Sequence, residues 1–113
     1  AGGHRPGVVT FNAVIGACEK ARRWDLALAV LRGLRGESLQ PDTISYNSAI
    51  SACSWGQQWE IALALLFEAQ MSHLRMDEIS YAAAISACEK VHRWELALGL
   101  LRHMRSRRLA PDG

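Results

Sequence analysis

The 113-residue sequence lacks a long apolar run. The longest, Ile61 to Phe67, falls far short of the roughly 20 residues that cross a bilayer. Charge of one sign is also scarce. Thirteen Lys and Arg against eleven Asp and Glu leave a net charge of +2, whereas domains that hold nucleic acid by bulk charge are usually far more basic. Three cysteines, Cys18, Cys53 and Cys88, cannot all pair with one another, and no Cys/His spacing typical of zinc occurs. They are expected to be small buried residues, with no metal site. There is no Gly-rich phosphate loop, no Gly-x-Ser-x-Gly and no His-Glu-x-x-His. His4, His73, His92 and His103 are scattered without period and read as surface residues, so neither catalysis nor a cofactor is expected. The opening Ala1 to Gly7 has no apolar core of a signal peptide. With no initiator Met, and an end at Pro111-Asp112-Gly113, the sequence is expected to be an excerpt from a longer array. Half of the residues are hydrophobic and 21% are charged, a balance of folded rather than disordered chains.

What the sequence does have is a period of 35 residues. Cys18, Cys53 and Cys88 follow it, as do Trp24, Trp59 and Trp94. So do Ile15, Ile50 and Ile85, Ala27, Ala62 and Ala97, and Leu39, Leu74 and Leu109. Asp42, Asp77 and Asp112 close each unit, and Pro6, Pro41 and Pro111 keep the period, with Met76 as the exception. The units are 8–42, 43–77 and 78–112.

Each unit reads as two helices. Phe11, Val14, Ile15 and Cys18 fall at i, i+3, i+4 and i+7, one apolar stripe on a helical face. Trp24, Ala27, Leu28, Leu31 and Leu34 do the same in the second helix. Asp25, Glu60 and Glu95 lie in its first turn, where the helix dipole favours an anion. Short polar turns such as Ala21-Arg22-Arg23 allow antiparallel packing. One such hairpin cannot bury its apolar face alone, but stacked neighbours can. The expected fold is all-α, a right-handed α-solenoid of three helix-turn-helix repeats.

A second face of the first helices carries Val9, Asn12, Gly16 and Glu19, then Ile44, Asn47, Ser51 and Ser54, then Ile79, Ala82, Ser86 and Glu89. Stacking aligns these sets along one groove, where a flat ligand fits between aliphatic side chains. Asn offers both a donor and an acceptor to its edge. The same residues would also serve as plain solvent-facing helix positions.

Val8-Val9-Thr10-Phe11-Asn12, Thr43-Ile44-Ser45-Tyr46-Asn47, the Ala-Leu-x-x-Leu of the second helix and the closing Leu39-Gln40-Pro41-Asp42 resemble the pentatricopeptide repeat family. The tetratricopeptide repeat fits less well, since it runs 34 residues and has its Trp in the first helix. The resemblance implies single-stranded RNA binding at about one base per repeat. It implies that the fifth and last residues of a unit read the base edge while the second packs on the base face. Asn12 with Asp42 and Asn47 with Asp77 would then each prefer uracil, packed by Val9 and Ile44. The third unit offers Ala82 with Asp112, packed by Ile79; alanine cannot hydrogen-bond, so this unit is expected to be unselective. With the N-terminal repeat on the 5′ base, the expected footprint is 5′-U-U-N-3′. The family often places a phosphate-contacting cation where Lys20 and Lys90 stand. Trp55 replaces it in the second unit and is expected to pack against the neighbouring helix. Arg102, Arg105, Arg107 and Arg108 suit a solvated helix C-terminus.

The expected function is sequence-selective RNA binding in organellar RNA processing, in a mitochondrion or plastid, without membrane or small-molecule partners. Other proteins remain possible partners. The alternatives are a tetratricopeptide-like protein scaffold and the RNA-binding segment of an RNA-processing enzyme. Stacking contributes about 1–3 kcal/mol per base, so three bases give roughly 3–9 kcal/mol against an association cost of about 4–15 kcal/mol. Three repeats alone should therefore bind weakly.

Overall fold

Helix starts recur every 35 residues in a computed structural model that describes residues 7–109. Among the described residues there are six α-helices and no strand. They are α1 Val8–Lys20, α2 Trp24–Gly36, α3 Thr43–Trp55, α4 Trp59–Met71, α5 Glu78–Lys90 and α6 Trp94–Leu109.

Local chemistry sets the ends. Asp42 and Asp77 sit in extended backbone before α3 and α5, and each forms a capping box with the serine three residues on. Such a box satisfies N–H groups that the first helical turn leaves unpaired. Arg22, Gln57 and His92 close the turn inside each hairpin with φ near +60°. The residue after each donates its N–H back to the carbonyl of Cys18, Cys53 or Cys88, at 2.8–2.9 Å, which ties off the preceding helix. Ser38 and His73 do the same between hairpins with φ of 60° and 66°.

The helices stack as a solenoid. α1 packs on α2 and α3, α3 on α4 and α5, and α5 on α6; α2 and α4 also touch the next hairpin through α3 and α5. The array measures 53 × 36 × 18 Å. Burial divides each first helix into a forward and a backward side. Ile15 and Ile50 are fully buried while Ile85, with no described hairpin ahead of it, is only partly so. Ala49, Ala52, Ala84 and Ala87 are fully buried, whereas Val14 and Ala17 are exposed because no described helix lies behind them. Val14 thus leaves the expected stripe and belongs to a face that meets the preceding hairpin. The tryptophans of the second helices lean forward as well. Trp24 lies against Gly56 of the next hairpin, and Trp59 lies under the Arg93 guanidinium, 5.0 Å from the ring centre. Trp94, expected in the apolar stripe, is mostly exposed for want of such a neighbour.

Two buried tyrosines tie hairpins together at their polar tips. The Tyr46 hydroxyl donates to Glu68 Oε2 at 2.8 Å, and that carboxylate also pairs with Arg32 of the preceding hairpin at 2.6 Å. The Tyr81 hydroxyl receives Gln70 Nε2 at 2.6 Å and lies 3.1 Å from His103 Nδ1. His103 is therefore not a plain surface residue: its ring meets Tyr81 edge-on and tilts against Phe67. Cys53 and Cys88 are buried and Cys18 partly so, all as free thiols.

A methyl group on Gly56 would overlap the Trp24 indole, 2.8 Å from Cγ, whereas one on Gly99 in α6 meets nothing within 4 Å. Gly56→Ala is expected to destabilise the array by about 1–3 kcal/mol, and Gly99→Ala to stabilise it by about 0.5–1 kcal/mol. Urea unfolding with an unchanged slope should read both shifts, opposite in sign.

Candidate nucleic-acid interface

The groove starts from the helix caps. Asp42 Oδ1 accepts the Ser45 backbone N–H at 3.0 Å, and Ser45 Oγ accepts the Asp42 N–H at 3.0 Å. Asn12, on α1, enters this box from the preceding hairpin. Its Nδ2 donates to Asp42 Oδ1 at 3.0 Å, and Ser45 Oγ donates to its Oδ1 at 2.5 Å. The arrangement repeats one hairpin on. Asn47 Nδ2 lies 3.3 Å from Asp77 Oδ1, and Ser80 Oγ donates to Asn47 Oδ1 at 2.5 Å. The residue pairs implied by the family resemblance, Asn12 with Asp42 and Asn47 with Asp77, are thus brought together. The two serines, which spacing did not single out as site residues, are fully buried between them.

A neutral amide has two N–H groups and two carbonyl lone pairs. Asp and Ser take one of each, so each Asn keeps one donor and one acceptor. One helical turn earlier stand Val9, Ile44 and Ile79, 84%, 61% and 67% exposed. Each is an aliphatic surface beside the amide position that comes after it. Ala82 is exposed and carries no amide; it lines an open depression of about 400 Å3 with Glu78, Ile85, Ser86, Glu89 and Met104. Asp112 and the Arg108 side chain lie outside the described residues. Arg102, Arg105 and Arg107 are exposed on α6.

Two groove positions differ from expectation. Ser54 is buried in α3, which is flanked by both α1 and α5, and its hydroxyl has no hydrogen-bond partner. Trp55 does not pack into the helix interface. It is 45% exposed and holds the Arg22 guanidinium 3.7 Å from its ring centre and the Lys90 ammonium 4.6 Å from it. Lys90 also donates to Ser86 Oγ at 2.7 Å, while Lys20 is exposed. Glu19 accepts from Ser51 Oγ at 2.7 Å, linking the first two hairpins lower in the groove.

Burial pushes the Asp42 carboxyl up, but the Ser45 amide, the Asn12 amide and the Ser45 hydroxyl outweigh it and leave it below its ordinary value of 3.8. For Asp77 burial likewise acts upward and is outweighed by the Ser80 amide, the Ser80 hydroxyl and Asn47. Both groups are ionised acceptors at neutral pH.

The sequence pattern of the PPR repeat family matches residues 6–55, and that of the PPR repeat matches 44–74 and 79–109. The chain belongs to the pentatricopeptide repeat family. Among solved structures it is similar to the pentatricopeptide repeat protein PPR10 from maize, at 20% identity and a TM-score of 0.84, over 97% of this chain and 16% of that one. It is also similar to PPR10 in complex with an 18-nt psaJ RNA element, at 24% identity and a TM-score of 0.85, over all of this chain and 17% of that one. The chain thus spans about one-sixth of the length of this neighbour, and the likeness shows the shared helical fold. No curated protein matches the chain.

The lowered carboxyls of Asp42 and Asp77 stabilise the fold fully above their unfolded value. That contribution is lost as pH falls through the folded one. Helicity followed from about pH 5 to 1 should fall in the native chain. Asp42→Ala should cost about 1 kcal/mol at neutral pH and less as the pH drops. An equal cost at every pH would rule out an ionised cap.

Proposed function

We propose that this groove binds single-stranded RNA and reads it at one base per hairpin, in units 8–42, 43–77 and 78–112. The observation that carries the proposal is the recurrence, one hairpin apart, of an anchored amide with one free donor and one free acceptor. A base edge is a row of such groups in a plane, and a double helix would hide it. Val9, Ile44 and Ile79 are the base-packing residues. Asn12 with Asp42 and Asn47 with Asp77 select uracil, while Ala82 with Asp112 leaves the third base unselected. The footprint is 5′-U-U-N-3′. Lys20 and Lys90 supply phosphate contacts, with Lys90 held on the Trp55 face in the hairpin that lacks its own cation.

The RNA-bound relative of the same fold supports this reading, as does membership of the family. The role is binding within organellar RNA processing, in a mitochondrion or plastid, a setting that rests on the family alone. Catalysis is not part of the proposal.

Equilibrium binding at low salt, with U-rich, C-rich and double-stranded oligomers, tests it. The U-rich single strand should bind best, and added salt should weaken it as released counterions dictate. Asn47→Ala should lower U-rich affinity about tenfold, the scale of a bidentate base contact. Asn47→Thr should move the second base toward G. Equal binding of all three oligomers, or a peptide ligand indifferent to Asn47→Ala, would leave a protein scaffold instead.

A further inference from the structure

We infer that Ser45 and Ser80 are positioning residues for base selection: each locks the Asn amide of the preceding hairpin in one of its two orientations. This rests on the RNA-reading function proposed above.

The amide of Asn is nearly symmetric in shape, and a half-turn about its last torsion exchanges donor and acceptor. Uracil offers a carbonyl acceptor beside an N–H donor on its pairing edge. Cytosine offers an amino donor beside a ring-nitrogen acceptor. One amide orientation therefore suits uracil and the reversed one suits cytosine, so the choice of pyrimidine is a choice of orientation.

Two anchors fix that orientation here. The Asp42 carboxylate is ionised and can only accept, so it draws Nδ2 toward itself at 3.0 Å. Ser45 Oγ already accepts the Asp42 N–H. Its single proton has two acceptors within reach, Asn12 Oδ1 at 2.5 Å and Asp42 Oδ1 at 2.9 Å, and the shorter contact is to Asn12. With both anchors the amide cannot pivot. With Asp42 alone it would swing about one contact, and its free donor and acceptor would sweep across the base edge. The same geometry holds for Asn47, Asp77 and Ser80.

Capping does not by itself require the serine proton. A capping box usually carries Glu or Gln at this position, and an ionised Glu would have no proton to give Asn12. The short hydroxyl serves the helix with its lone pair and the neighbouring hairpin with its hydrogen. The serine that orients the reader of one base thus belongs to the hairpin that reads the next.

The test uses the full 113-residue chain with Ser80→Ala and Ser80→Thr. Short single strands carrying U or C at the first or second position are competed at low salt. The readout is the U-to-C affinity ratio at each position, which a smaller folded fraction would leave unchanged. Ser80→Ala should reduce the ratio at the second base about fivefold, the weight of one hydrogen bond. The first base should be untouched, and Ser80→Thr should retain the native ratio. If the native chain prefers U and Ser80→Ala keeps that preference, the positioning role is wrong and base reading stands. If Ser80→Ala weakens all strands alike, the serine is only a cap and the inference is again overturned. If the native chain shows no preference at either position, base reading fails and takes the inference with it.

Discussion

The carboxylate that begins α3, and its counterpart before α5, is the joint on which the groove is built. It closes the first turn of one helix and receives the amide of the helix before it. Helix start and inter-hairpin contact are therefore one event, settled by a handful of atoms. α1 has Gly7 at its N-cap and no side-chain cap, so among the described residues the joint stands before α3 and α5, where Asp42 and Asp77 supply the carboxylate. A lone hairpin could have neither the buried serine nor the oriented amide.

Behind the joint, the apolar packing has direction. Ile15 and Ile50 are sealed by the next hairpin along the array, and Ala49 and Ala84 by the previous one. Small residues on the backward side let the first helices approach closely, and larger aliphatics on the forward side fill the layer below. Tyr46 and Tyr81 carry this layer out to a polar edge, where Glu68, Gln70 and His103 satisfy their hydroxyls. The Arg32 guanidinium, and behind it the Tyr46 hydroxyl, hold the Glu68 carboxyl below its usual range against burial. Through Arg32–Glu68 and Gln70–Tyr81 these side-chain links bridge successive hairpins.

Much of this was legible in the sequence. The 35-residue period and the paired helices come from spacing, because a repeated structure repeats its contacts, while the company of Asn12 with Asp42 came from the resemblance to the repeat family. What was not legible depended on neighbours rather than on pattern. Val14 and Trp94 carry the same pattern as their counterparts but lie on unsheltered ends. Trp55 looked like a residue for the core, yet Arg22 and Lys90 hold it at the surface. Gly56 has Ala21 and Val91 at its equivalent positions, so no period marks the tryptophan ring above it. Ser45 and Ser80 were hidden for another reason: a serine in the first turn is an ordinary helix-starting residue, and only the third dimension shows where its proton goes. His103 has no periodic partner, and its tie to Tyr81 is visible only once α5 and α6 are packed.

The five turns closed by Arg22, Ser38, Gln57, His73 and His92 all hold a side-chain-bearing residue in left-handed backbone, a conformation that costs such residues roughly 1–2 kcal/mol relative to right-handed geometry. None of the five is among the groove residues. The array thus keeps an untapped reserve of stability at its corners, although the Arg22 corner also covers the Trp55 ring of the groove. At Ser38, Gln57, His73 and His92 a lineage under thermal stress could draw on it one glycine at a time without altering the residues that line the groove. Equally, a lineage accumulating destabilising changes in the groove would find its compensation there.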